Sequence, residues 1–409
     1  MNNICQEVKN CRMCGGCLET VIDFGETALA NNFLLEEELH LKEYIFPLCV
    51  GLCNCGSLQL KHTINPNLLF KNYFYQSSTN VSFRNHFKEY AKYIKNRFSI
   101  NYDDIILEIG SNDNILLKPF RDLGIKNLYG IEPAKNLVDL YGNESDINII
   151  CDFFNEKLVK SRLKHLHNTI SVICANNVYC HMSDIKKVTE CISLLLKNDG
   201  IFVFEVAYSK TDIEKLQFDK IYHEHIWIGH SVKPLQSFLK LFNLVLFDVE
   251  VIDVHGGSIR CFVKKNIGKW EISNNVSKLF KSENDFGLYN NRTYINFCDK
   301  IQEYKTDLLK KLNYYKSIGK TIWAFGAPAK LCTFFSVMGI NKYIIDYVVD
   351  DSPLKQNKFT PQSHIKIVSR NDFLKSQPDY CLITAWNFAD SIINNNIEYK
   401  NNWIIPFKS

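Results

Sequence analysis

No stretch of this chain approaches the ~18 consecutive apolar residues that a membrane-spanning helix needs, so no helical membrane anchor is expected. Nor is there a block of like charge. The 48 Lys and Arg stand against 44 Asp and Glu, a net charge of +4, with lysines interspersed among acids. Nucleic-acid binders normally show a clustered basic face, so that partner class is set aside. Residues 1–20 are polar and cysteine-rich and lack the apolar segment of a secretory signal. A reducing, cytoplasmic compartment is therefore expected, one in which disulfides are rare. What is present is 409 residues, 46% hydrophobic and 13% aromatic, enough for roughly two to four packed domains.

Cysteine is plentiful and unevenly spread. Seven of the 15 fall in the first 55 residues: Cys5, Cys11, Cys14, Cys17, Cys49, Cys53 and Cys55. Cys11-Arg-Met-Cys14-Gly15-Gly16 and Cys53-Asn-Cys55-Gly56 each hold two thiols on a tight turn, and two such turns side by side make the S₄ tetrahedron that zinc prefers. Cys11, Cys14, Cys53 and Cys55 are the expected ligands. Cys53-Asn-Cys55 is tighter than the usual C-x₂-C, so Cys17 or Cys49 is the alternative for one of the four. The remaining cysteines (Cys151, Cys174, Cys180, Cys191, Cys261, Cys298, Cys332 and Cys381) lie in apolar surroundings and read as small hydrophobes.

Beyond the cysteine module the pattern turns α/β. Phe83, Phe87, Tyr90 and Ala91 are spaced for a helix. Ile105–Ile109, Asn127–Ile131, Ile170–Ala175 and Gly200–Val206 read as strands alternating with helices, which means a doubly wound parallel sheet. A Lys- and Asn-rich helical connector covers 270–315. The βα pattern then restarts with Thr321–Phe325, a turn at Gly326–Lys330, a helix, and strands at Tyr343–Val349 and Tyr380–Ala385. The expected organisation is a zinc-binding module in 1–72, a Rossmann-like domain in 73–268, and linker helices with a second Rossmann-like domain in 269–409.

The turn Glu108-Ile109-Gly110-Ser111-Asn112-Asp113-Asn114 joins a strand to a helix, where free backbone N–H groups meet ligands. A dinucleotide site would use several glycines there to admit a pyrophosphate. This turn has one glycine and two acids, which suits a cationic sulfonium with an amino-acid tail, S-adenosylmethionine (SAM). Glu132 ends the next strand, 22 residues beyond Gly110, where a carboxylate accepts from ribose hydroxyls. Three further polar clusters follow strands: Asn176-Asn177-Val-Tyr-Cys-His181, Tyr222-His223-Glu224-His225, and His255-Gly-Gly-Ser258. The His-Glu-His run lacks the i, i+4 spacing of a helical zinc motif, so no metal is expected there. Histidine removes protons near neutral pH. Beside a methyl donor, a proton taken from a carbon next to a ketone would create a carbon nucleophile. Tyr222, Asn177 and His181 are candidate donors to the resulting enolate.

In order along the chain, these motifs resemble those of the zinc-containing, SAM-dependent sugar C-methyltransferases that act on nucleotide-activated keto-deoxysugars (the tetronitrose-type C-3′-methyltransferases). The resemblance takes in the two cysteine knuckles, Gly56–Leu60, Tyr73–Ser78, Glu108–Asp113, Gly130-Ile-Glu132-Pro133, Asn177–His181, Tyr222–His225, His255–Arg260, Phe325–Lys330 and Val349–Gln356. It implies His225 as general base, Tyr222 and Glu224 lining the same pocket, and Tyr75 closing over the substrate. It also implies that Lys330 and the turn at Gly326 lie near the nucleotide of a dTDP-linked sugar. The cofactor contacts fall on Glu108, Gly110, Asn112, Asp113, Glu132, Pro133 and Asn176. The implied reaction is C3 methylation of an NDP-4-keto-6-deoxysugar by a monomer or weak homo-oligomer. The alternatives are another sugar carbon or an oxygen, a nucleotide-sugar oxidoreductase using Gly326–Lys330 and Asp350-Asp351, and a non-catalytic binding protein.

Overall fold

The computed structural model describes residues 4–70, 77–79 and 81–407. At the amino end, β2 (Leu18–Ala28), β3 (Ile45–Cys53) and β4 (Leu58–Leu60) form an antiparallel sheet, while β1 (Cys5–Glu7) pairs with β5 (His62–Ile64). The register sets Leu18 opposite Cys53. The turn before β2 and the turn after β3 are thereby held side by side, and these are the turns that carry the cysteine knuckles.

The central sheet has seven strands: β6 (Ile105–Ile109), β7 (Asn127–Ile131), β8 (Asn148–Ile150), β9 (Ile170–Cys174), β10 (Leu196–Ala207), β11 (Leu244–Ile252) and β12 (Ser258–Lys265). Their order is β11-β12-β10-β9-β6-β7-β8. The five strands from β10 to β8 are parallel, and β12 and β11 add an antiparallel edge. β9 is buried at every residue and β6 at all but its first, as strands covered on both faces must be. The helix Val81–Phe98 turns Phe83, Phe87, Tyr90, Ala91, Ile94 and Phe98 inward, one face of a 3.6-residue period. From β6 the chain winds outward through β7 and β8, then returns to the other side of β6 for β9. The crevice at that reversal, outside the carboxyl ends of β6 and β9, is where such sheets bind ligands.

The connector is two helices, Asn274–Phe286 and Asn291–Ser317. Gly287 ends the first in the left-handed conformation, and the Asn290 side chain caps the second. A second, wholly parallel sheet follows, made of β13 (Ile322–Phe325), β14 (Tyr347–Val349), β15 (Ile367–Val368), β16 (Tyr380–Ile383) and β17 (Asn402–Ile404), in the order β15-β14-β13-β16-β17. β14 is shorter than its apolar run. The amides of Ile344 and Ile345 both donate to Asn341 O, closing a turn over residues the pattern assigns to the strand.

One apolar cluster ties the parts together. It joins Leu48, Val50 and Leu58 of the amino-terminal sheet to Phe218, Ile221 and Ile228, which follow β10, and to Leu331, Phe334 and Phe335 of the carboxyl-terminal unit. Full burial of side chains such as Phe218 and Ile228 contributes about 1.5–3 kcal/mol each. The carboxyl ends of the two Rossmann-like sheets meet at this junction. Trp386, just past β16, donates its indole N–H to Asp219, which lies past β10, at 2.6 Å.

Candidate active site

The turn after β6 is fixed through its neighbour. Gly110 N and Ser111 N both donate to Ile131 O at the end of β7, and Gly110 takes a φ of 71°. A Cβ there would come within 2.5 Å of Val178 Cγ2, so Gly110 is required by the closeness of the loop after β9. Asn112, at φ 51°, donates its amide to Glu132 Oε2 at 2.8 Å, and Ala134 N donates to Glu132 Oε1 at 2.8 Å. Pro133 lies between these two anchors. Asn112 and Asp113 also accept from the backbone amides of Ser77 and Ser78. Asn176 Oδ1 accepts from Glu205 N.

Glu108, Asp113 and Glu132 therefore put three buried carboxyl groups around one turn. Glu108 is pushed well above the usual carboxyl range, first by burial and then by the charges of Asp113 and Glu132. Burial also raises Glu132, against the two amides that favour its charged form. Glu108 Oε2, Ser111 Oγ, Asp113 Oδ1 and Asn176 Nδ2 are buried with no partner among the described residues. A cationic ligand with several hydroxyl and amine groups satisfies both conditions, and SAM is such a ligand.

On the other side of the β9 loop lie the imidazoles. His225 Nδ1 is 2.9 Å from Lys220 O. A carbonyl can only accept, so Nδ1 carries the proton and Nε2 keeps its lone pair. The Tyr222 ring is 4.1 Å from that of His225, and the His181 ring is 5.1 Å away, with Phe70 stacked on its far side. Burial holds His225 down at about 4. Burial, followed by the proximity of His225, lowers His181 well below its usual range. Both rings are neutral at pH 7. Asn177 sits on the loop that carries His181, at φ 54°, its amide donating to Glu205 O. Tyr75 lies outside the described residues.

The loop carrying Tyr222 to His225 is irregular and is clamped from three directions. Leu60 N donates to Ile226 O and Ile228 N to Leu58 O, so β4 runs along it. His223 donates through Nε2 toward Phe46 O and Pro47 O, a structural use of one histidine of the run. Glu224, 1% exposed, accepts from Asn31 Nδ2 at 3.0 Å. Thr333 Oγ1, from the carboxyl-terminal unit, donates to Ile221 O, and Trp227 donates to Met182 O and Cys180 O.

Sequence reasoning missed Asn31, Asp219, Lys220 and Trp386. Only Trp386 carried a signal, its position immediately after a strand of a parallel sheet. Lys330 places its ammonium 3.6 Å from the centre of the Trp386 ring and 2.7 Å from Asn387 Oδ1. Burial lowers it to about 7 against the pull of Asp219. Lys220 pairs with Asp212 at 2.6 Å.

The sulfur atoms of Cys11, Cys14, Cys53 and Cys55 lie within 4.8 Å of one another, with Cys14–Cys53 at 3.4 Å and Cys11–Cys55 at 3.7 Å. These are about the edge lengths of a tetrahedral zinc–thiolate cage. Gln59 Nε2 and Gly16 N donate to two of the sulfurs. Cys49 is turned away onto Asp23, with its thiol raised to about 12 by burial and then by Asp23. Cys17 is exposed and outside the cluster.

Three family profiles match: a zinc binding domain over residues 11–70, a methyltransferase domain over 83–250, and a C-methyltransferase C-terminal domain over 253–407. The chain is 32% identical to C-methyltransferase NovU of Streptomyces niveus over 99% of its own length and 97% of that protein's. Among solved structures, 1,6-didemethyltoxoflavin-N1-methyltransferase of Burkholderia thailandensis aligns at 12% identity. That match covers 44% of this chain and 77% of the other, with a TM-score of 0.33. Magnesium protoporphyrin IX methyltransferase of Synechocystis aligns at 10% identity over 45% and 80%, with a TM-score of 0.32.

Proposed function

The chain belongs to the C-methyltransferase family, a SAM-dependent enzyme with a zinc-binding module, and from that premise we propose that it methylates C3 of an NDP-4-keto-6-deoxysugar with His225 as the base. One observation carries the reading. His225 is held in a single tautomer by Lys220 O, so its Nε2 carries the lone pair, and the ring lies beside Tyr222 and His181.

The proton on C3 is acidic because the adjacent C4 is a ketone. His225 Nε2 accepts that proton, and the C–H electron pair moves into an enolate. The Tyr222 hydroxyl and the His181 ring are the donors that would steady the oxygen of that enolate. When bound, SAM supplies an electrophilic methyl group, which the carbon then acquires. Glu224, fixed by Asn31, lines the pocket and helps orient the sugar. Glu108, Asp113, Asn176 and Glu132 would hold the cofactor, with Gly110, Asn112 and Pro133 shaping the turn. Cys11, Cys14, Cys53 and Cys55 would hold the zinc. Lys330 lies where the carboxyl ends of the two sheets meet, and it would balance the charge of a nucleoside diphosphate there.

The test uses ¹³C-methyl SAM and dTDP-4-keto-6-deoxyglucose, read by NMR. A label on C3, and wild-type exchange of the C3 proton in D₂O that His225→Asn abolishes, is the expected result. A label on another carbon or on oxygen, or exchange that survives in the variant, overturns the assignment.

A further inference from the structure

Cys180, read from sequence as a small hydrophobe, is buried beside the two imidazoles of the pocket. Its Sγ and one ring nitrogen each of His181 and His225 lie within 4.8 Å of one another. A tetrahedral zinc with ~2.3 Å bonds to sulfur and ~2.0 Å bonds to nitrogen sets its donors roughly 3.3–3.5 Å apart. Side-chain rotation would close the difference from a separation of up to 4.8 Å.

The surroundings match those of a metal-binding imidazole. His225 donates Nδ1–H to Lys220 O, and metal-ligating histidines direct their other N–H to such an acceptor. His181 Nε2 is buried with no partner among the described residues. The donors come from two separate loops, Tyr179–His181 after β9 and Tyr222–His225. For that reason the spacing within His-Glu-His gives no sign of them.

We propose that Cys180, His181 and His225 form a second metal site, distinct from the four-cysteine cage, which captures a soft divalent cation of the zinc class and shuts the enzyme off while occupied. Three protein donors leave one coordination position for water, the ligand count of an exchangeable site. On capture the Cys180 S–H bond breaks, its proton goes to solvent, and the sulfur pair forms the metal bond. The His225 Nε2 pair is used in the same way, so none is left to accept a proton from carbon. The inhibitory half of this proposal rests on the reading of His225 as the base.

The experiment adds Zn²⁺ to the zinc-loaded enzyme, measures bound metal after buffer exchange, and follows methyl transfer against free Zn²⁺. Wild type should take up one equivalent more than Cys180→Ala. Its turnover should be inhibited at Zn²⁺ concentrations at least tenfold lower than those affecting the variant, whose turnover without added Zn²⁺ should match wild type. Cys180→Ser serves in its place if the alanine protein does not fold. Equal metal uptake by wild type and variant overturns the site. A Cys180-dependent equivalent that leaves turnover intact overturns the shut-off. In that case, the D₂O exchange of His225→Asn separately decides whether His225 is the base.

Discussion

Lys220 O takes the Nδ1–H of His225 at 2.9 Å, five residues apart in one loop. That bond chooses the tautomer. It ties the His225 ring to a segment that the carboxyl-terminal unit also grips, because Asp219, next to Lys220, receives the Trp386 indole N–H.

His225→Asn should therefore lower turnover by roughly 10²–10⁴-fold, the span for loss of a general base. SAM affinity, measured by calorimetry, should stay near wild type, since no hydrogen bond among the described residues joins the turn after β6 to His225. A parallel loss of SAM binding would contradict the assignment.

Trp386→Phe keeps the ring over Lys330 but removes the donor to Asp219. Asp219 is fully buried, and its other oxygen already lacks a partner among the described residues. Denaturant unfolding should show a loss of about 1–3 kcal/mol, the cost of stranding a buried acceptor. Because Lys220 shifts with Asp219, kcat should fall while the SAM Kd does not change.

Glu132→Ala removes the acceptor of two backbone amides and a buried carboxylate beside the turn after β6, where we propose SAM binds. Hydrogen bonds to a charged group are worth ~1.5–3 kcal/mol. SAM binding followed by calorimetry should weaken by roughly 10–100-fold.

Burial depresses His223, His225 and His230 to about 4 and His255 to about 3, against ~6.5 in an unfolded chain. Between those values the unfolded state binds more protons, so the stability from these groups is complete above pH ~6.5 and is lost as pH falls toward 4. Melting temperatures measured between pH 7 and 4 should drop steeply in that interval.

Replacing Cys11 and Cys14 together by serine should lower zinc content, by mass spectrometry, by one equivalent and lower the melting temperature. Turnover should fall with it, because β4 follows the Cys53–Cys55 knuckle and pairs with Ile226 and Ile228 next to His225.

The doubly wound sheets were legible because β6, β9 and β10 are apolar runs that end at Gly110, Asn176 and the residues after Ala207. The family was legible from motif order. Pocket assembly was less so. Tyr222, His225 and His181 stand on loops whose approach depends on packing against β4 and Thr333, and no period in the sequence encodes that. His223 and His225 are alike in sequence, yet one is spent on the Phe46 carbonyl. Cys180 read as filler because its partners are distant in the chain, and Asn31 had no local signature at all.

The pairing of Leu58 and Leu60 with the loop that follows His225 limits how such enzymes can be recombined. A chimera joined between residues 70 and 81 would take His225 from one parent and the strand that supports its loop from the other. Swaps that exchange residues 58–60 and 226–228 as a unit should retain activity, whereas cuts at the apparent module boundary should yield folded but slow proteins.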